Sequence, residues 1–167
     1  ESCDGSNVSD ISVSDIKMDG ISSPLLIWLG NRFKYYKEEV GSIHGVNISN
    51  VTAANTEMPS AITGCIDDEN KTHYVQNVAL NNINVSCRDT GEDLCICKTI
   101  GESAMSGYPD ITRVSHIYFI SHELSKYWDL PCYAMAVRHV QNVTYDDYSV
   151  TPRTCNTRDK FYVDDVK

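Results

Sequence analysis

Arg138 and His139 are the adjacent side chains of this sequence that most readily suggest acid–base chemistry. A catalytic histidine needs a nucleophile or a carboxylate as its partner. The chain contains no Gly-x-Ser-x-Gly elbow that would supply a nucleophile, and spacing identifies no partner for His73. The prediction for Arg138 and His139 is therefore a structural role.

Seven cysteines raise the alternatives of metal binding and disulfide formation. Cys95-Ile-Cys97 lacks a second pair of ligands at zinc spacing, so the sequence predicts no metal site and no cofactor. Because the count is odd, at least one thiol is free or pairs outside this chain. Many cysteines together with six Asn-x-Ser/Thr sequons are typical of a secreted protein. The expected localisation is extracellular.

An eleven-residue template occurs four times and organises the chain. The copies begin at Val8, Ile43, Val75 and Val140, and each has the same five apolar positions. The third and eighth positions hold Asp, Asn or, once, Gly. The starts lie 35, 32 and 65 residues apart, so the last interval is predicted to hold two periods.

Within each template the apolar residues alternate, shift phase at the Asn or Asp, and alternate again. This pattern predicts two strands joined by a corner, because Asn and Asp tolerate unusual backbone angles. Stacked copies would place these corner residues in a ladder above rows of aliphatic side chains. The segment Pro24–Gly30 aligns with Pro59–Cys65, and Phe161–Val163 is expected in the same slot of a later coil. The fold class predicted is all-β, a parallel β-helix (solenoid) of about five coils.

The solenoid hypothesis predicts one domain over 1-167, with a long lateral loop insertion at 99-130. Cys65 and Cys97 are each the twenty-third residue counted from their template, and they form the disulfide candidate. Sequons in the corners, at Asn50 and Asn142, are expected to bond the backbone. The remaining four are the glycosylation candidates: Asn7, Asn47, Asn70 and Asn84.

The net charge of −9 argues against a nucleic-acid partner, since little here would neutralise phosphates. No apolar run approaches the roughly 20 residues that span a bilayer, so no membrane partner is predicted. The templates start soon after Glu1 and the chain stops within a coil at Lys167. Both ends are therefore expected to be uncapped and to meet the remaining coils of the same chain or neighbouring copies.

The chain resembles the carboxyl-terminal half of pectin-degrading family 28 glycoside hydrolases, the polygalacturonase and rhamnogalacturonan-hydrolase group. The resemblance covers nearly the whole chain. It is carried by Leu29-Gly-Asn-Arg32, the template copies, Tyr108-Pro109 and the block Leu130–Val140 in that order. It implies a right-handed β-helix and inverting hydrolysis of galacturonan-type polysaccharide by well-separated carboxylates.

The family's catalytic aspartates lie in motifs upstream of the matched region, so no catalytic residue is assigned. The resemblance implies a substrate contact at Asn31 and Arg32, and Arg suits a uronate because its guanidinium can bind a carboxylate with two bonds. The alternative, an ion pair of Arg32 with Glu38 or Glu39, stays open.

Two functional hypotheses follow. The first is the carboxyl-terminal part of a secreted pectin-type hydrolase that lacks the catalytic coils. The second is a non-catalytic, glycosylated extracellular solenoid that binds polysaccharide or assembles end to end into a filament.

Overall fold

A computed structural model describes residues 1–3, 5–30, 39–89, 130–154 and 156–167. These ranges form an all-β structure in which no helix occurs. Most strands are parallel members of one curled sheet, and a short antiparallel pair lies beside it. The strands are β1 (Asn7–Asp19), β2 (Leu26–Trp28), β3 (Ser42–Thr56), β4 (Ser60–Thr63), β5 (Cys65–Ile66), β6 (Thr72–His73), β7 (Val75–Cys87), β8 (Cys132–Thr151) and β9 (Asp159–Val166).

The four template copies lie side by side as parallel strands in β1, β3, β7 and the second part of β8. Val8 is opposite Ile43, Ile43 is opposite Val75, and Val75 is opposite Val140. Equivalent template positions therefore face each other, and the register predicted from the repeat is confirmed.

The prediction that the 65-residue interval holds two periods is wrong. β7 pairs directly with β8, from Val75 opposite Val140 to Ser86 opposite Thr151, so no template layer lies between them. Between Cys87 and Cys132 the chain therefore adds length without adding a layer to this part of the sheet. The number of template layers in the described residues is four.

A second run of parallel strands contains β2, β4, the start of β8 and β9. Ile27, Ile62, Val137 and Val163 share one register row. This row confirms the predicted equivalence of Pro24–Gly30 with Pro59–Cys65 and of Phe161–Val163 with both. β8 belongs to both runs, which joins them into one curled sheet.

The corners occur where the sequence predicted them. Every third and eighth template position has a positive φ, between 53° and 69°. This left-handed conformation strains most L-residues, while Asn, Asp and Gly accept it at lower cost. The residues concerned are Asp10, Gly45, Asn77 and Asn142 at the third position and Asp15, Asn50, Asn82 and Asp147 at the eighth.

Most apolar side chains of the two runs share one core cluster inside the curl. A smaller second cluster contains Ala61, Leu130, Cys132 and Ala136. In the middle of the stack burial is almost complete, and Val75, Val78 and Ile83 are 0% exposed. Each such side chain contributes roughly 1.5–3 kcal/mol relative to an exposed position. Ile11 on β1 and Tyr145 on β8, in the outermost template strands, are exposed.

Candidate functional site

A polar cluster lies where the second run of strands turns into the templates. Tyr74 and His139 immediately precede the first positions of two templates, and Asp165 is their equivalent on β9, because Val75, Val140 and Val166 lie opposite one another. The hydroxyl of Tyr74 donates to Asp165 Oδ2 at 2.9 Å, and His139 Nδ1 lies 2.8 Å from the same oxygen. With Arg138 and Lys167, these residues form what we call the His139 cluster.

The tautomer of His139 follows from its neighbours. Arg138 Nη2 lies 3.1 Å from His139 Nε2, and a guanidinium can only donate. Nε2 must therefore accept, so Nδ1 carries the proton and donates it to the carboxylate of Asp165. Arg138 and His139 are both 4% exposed, so the imidazole is buried between a guanidinium and a carboxylate.

The electrostatics of the cluster keep Asp165 ionised. The hydrogen bond from His139 holds the pKa of Asp165 below its ordinary value, and Tyr74 and the Lys167 ammonium act in the same direction. Lys167 donates to the Tyr74 hydroxyl and lies 3.9 Å from Asp165 Oδ1. The hydrogen bond with Tyr74 raises the pKa of Lys167.

The His139 cluster is suited to holding strands together. His139 and Asp165 have φ values of 50° and 47°, so each sits at a strained corner that its hydrogen bonds help to fix. A general acid for glycoside hydrolysis needs a carboxyl whose pKa is raised, whereas that of Asp165 is lowered. The structural role predicted for Arg138 and His139 agrees with these contacts.

A second Asp–His pair closes the β5–β6 hairpin. Asp67 Oδ2 lies 2.6 Å from His73 Nε2, and Asp67 Oδ1 accepts backbone N–H groups of Glu69 and Lys71 at 2.9 Å each. Burial raises the pKa of Asp67, but the hydrogen bonds from His73 and from the two backbone groups outweigh it, and the pKa is lowered. This carboxyl, too, is held as an anion.

The corner side chains form the predicted ladder. Asn50 Nδ2 donates to Asp15 at 3.0 Å, and Asn82 Nδ2 donates to Asn50 Oδ1 at 2.9 Å. Asn142 Nδ2 donates to Asn77 at 2.7 Å. Asn50 and Asn142 are thus engaged as expected, although their partners are side chains of the neighbouring layer rather than the backbone.

The four glycosylation candidates, Asn7, Asn47, Asn70 and Asn84, are all exposed. Asn31, Arg32 and Cys97 lie outside the described residues, as does the 99-130 segment except for Leu130. Cys65 lies in β5, opposite His73 of β6.

Tyr74, Asp165 and Lys167 were not singled out by the sequence, nor was Asp67 as the partner of His73. Part of the signal was present, because Tyr74 and His139 both immediately precede a template's first position. Recognising it required knowing that β7 and β8 are neighbours, which the 65-residue interval concealed.

Comparisons with family models, curated proteins and solved structures find no match to this chain. Among the residues that the structure describes, no group of three or more His, Cys, Asp or Glu side chains is arranged to hold a metal ion. The same residues include no helix long and apolar enough to cross a membrane.

Proposed function

We propose that the chain is the carboxyl-terminal part of a secreted pectin-type polysaccharide hydrolase, an inverting glycosidase. It folds as a right-handed parallel β-helix and contributes scaffold and substrate contacts rather than the catalytic carboxylates. The observation that carries this proposal is the register of the four templates, with a left-handed corner at every third and eighth position.

The order of the strands supports a solenoid. Along the chain, β1, β3 and β7 of the template run alternate with β2, β4 and the start of β8 in the second run. Each return to the template run adds the next parallel strand, as a coiled chain requires. Crossovers between parallel strands are right-handed in the great majority of proteins, which favours that hand here.

The carboxyl groups support a scaffold role. Asp15, Asp67 and Asp165 have lowered pKa values, and each bonds a side chain of its own fold. Inverting hydrolysis requires one carboxyl with a raised pKa and a second about 6.5–9.5 Å away. Asp15, Asp67 and Asp165 lack the raised pKa that the acid needs.

Assays with polygalacturonate and with short galacturonate oligomers test the proposal. The chain alone should bind the oligomers and release no reducing ends. Arg32→Ala should weaken oligomer binding at least tenfold if its guanidinium holds a uronate carboxylate, while Lys34→Ala serves as the matched control. Reducing-end release by the chain, or oligomer binding that neither variant changes, would contradict the assigned role.

A second candidate function is a non-catalytic solenoid that assembles end to end. The exposed large apolar side chains in the described ranges all lie on outermost strands of the two runs, and they are Ile11, Leu26, Tyr145 and Val163. Exposed apolar side chains at both ends of the stack favour association through those ends.

Light scattering across a concentration series tests this second candidate. The chain should associate as its concentration rises, and Ile11→Lys or Tyr145→Lys should each block one end. An equimolar mixture of the two variants should then form dimers and nothing larger. A chain that stays monomeric throughout would eliminate end-to-end assembly and leave the hydrolase proposal intact.

A further inference from the structure

We propose that Asn47 and Asn84 carry N-linked glycans, and that the outward surface of β3 and β7 between His44 and Thr52 and between Gln76 and Asn84 is a glycan-covered face. We call this surface the β3–β7 face. The proposal rests on the extracellular placement in the proposed function.

The β3–β7 face is uncharged. No outward residue of these two segments is Asp, Glu, Lys or Arg, although these four types make up 22% of the chain. The register pairs Asn47 with Ala79 and Thr52 with Asn84 across the two strands. The result is a surface of mainly hydroxyl and amide groups, with the His44 imidazole, in a chain of net charge −9.

Asn47 and Asn84 are both available for modification. Both side chains are exposed, and within the described ranges neither Nδ2 donates to a protein acceptor. Their neighbours across the strands are short: Ser12 and Ala79 flank Asn47, and Thr52 and Ser149 flank Asn84. A sugar leaving the sheet at either position meets no large side chain from these neighbours.

The corner sequons provide an internal contrast. The Nδ2 atoms of Asn50 and Asn142 donate within the ladder, to Asp15 and to Asn77. Neighbouring strands are about 4.8 Å apart, so a pyranose on a corner amide would crowd the layers above and below. All four Asn residues have the Asn-x-Ser/Thr sequence, but the fold places two of them outward and two in the ladder.

The modification is a group transfer to the amide nitrogen. A bond forms between Nδ2 and the anomeric carbon of an oligosaccharide as the bond from that carbon to a lipid-linked diphosphate breaks. The diphosphate leaves with the electron pair, and Nδ2 loses one proton. The donor is a lipid-diphosphate oligosaccharide of the secretory pathway.

Glycans at Asn47 and Asn84 would restrict where polysaccharide can bind. Two glycans on adjacent strands would cover the β3–β7 face and keep it from contacting a polymer. This would leave the second run of strands, which contains β2, β4 and β9, free to contact substrate.

Site mapping on the full chain, secreted from a eukaryotic host, tests the proposal. Enzymatic removal of N-glycans in water labelled with heavy oxygen converts each occupied Asn to labelled Asp, which peptide mass spectrometry locates. Label is expected at Asn47 and Asn84 and not at Asn50 or Asn142. Label at either corner residue, or its absence from either outward residue, would overturn the proposal.

Variants provide a second measurement. Asn47→Gln and Asn84→Gln should each remove the mass of one glycan from the secreted protein, and the double variant should remove both. Asn50→Gln and Asn142→Gln are the matched controls and should leave the glycan mass unchanged. Occupancy is measured independently of polysaccharide binding, so failure of the glycan proposal and failure of the proposed function can be told apart.

Discussion

Replacing Asn50 tests how much the corner ladder contributes to stability. Asn50 has a φ of 54°, and its amide donates to Asp15 at 3.0 Å and accepts from Asn82 at 2.9 Å. Asn50→Ala removes both hydrogen bonds. It also places alanine, which has no polar side chain to bond the nearby backbone, in the left-handed region. The two effects should add, because one acts on the side chain and the other on the backbone.

The expected loss can be worked out from these two parts. The hydrogen bonds are exposed and contribute roughly 0.5–1 kcal/mol each, and the left-handed conformation costs a residue such as Ala about 1–2 kcal/mol. Asn50→Ala should therefore lower the free energy of unfolding by about 2–4 kcal/mol. Asn50→Gly loses the same bonds but accepts the backbone angle, as Gly45 does at the third position with a φ of 69°. Its loss should be smaller by about 1 kcal/mol.

Urea unfolding followed by circular dichroism measures these differences. Asn50→Asp supplies a third comparison, because it keeps the corner preference but faces Asp15 with a second carboxylate. Its stability should recover as the pH falls and the carboxylates are protonated. Equal stabilities for the Ala and Gly variants would refute the backbone part of the reasoning, and a Gly variant as stable as the parent would refute the ladder part.

Three further predictions follow from single contacts. Gly64→Ala should destabilise the fold by about 1–3 kcal/mol, because its Cβ would lie 2.1 Å from the carbonyl oxygen of His73. Gly20→Ala, which meets nothing within 4 Å but has a φ of 65°, is the control in urea unfolding and should lose only about 1 kcal/mol. Asp165 has a pKa below its ordinary 3.8, so its ionised form stabilises the fold above that value, and this contribution is lost as the pH falls through the folded-state pKa. Asp165→Asn should therefore flatten the acid limb of stability against pH, and an unchanged limb would contradict this. Burial raises the pKa of Tyr148 to about 12, so Tyr148→Phe should remove a step near pH 12 from an ultraviolet titration of the folded protein.

The template strands could be predicted from the sequence because their signal is repeated and local. Alternation fixes which residues face the core, and the corner residues are Asn, Asp or Gly because few others accept a positive φ. Registers such as Val8 opposite Ile43 then follow from equal spacing. The prediction of two periods between Val75 and Val140 was wrong because it depended on spacing alone. The length of an interval does not distinguish an inserted connection from an added layer.

The His139 cluster was harder to predict because its members are far apart in sequence. Tyr74 and Asp165 are separated by 91 residues, and no short motif connects them. Their meeting depends on β8 lying between β7 and β9 in the two runs. Each residue alone is an ordinary surface type, so its role becomes visible only when the strand order is known.

The connection between β7 and β8 offers a direct test of that strand order. β3 is followed by β4 after only residues 57–59, whereas residues 88–131 separate β7 from β8. If the longer connection adds no layer to the sheet, a linker of a few residues in place of 90–129 should preserve the pairing of Val75 with Val140.

Hydrogen exchange of the β7 and β8 amides measures whether this pairing survives the deletion. Protection at these amides should persist in the shortened chain. A matched change, shortening the hairpin at 67–71, should leave the same protection intact. Loss of β7 and β8 protection in the first variant but not in the second would show that the long connection is part of the stack.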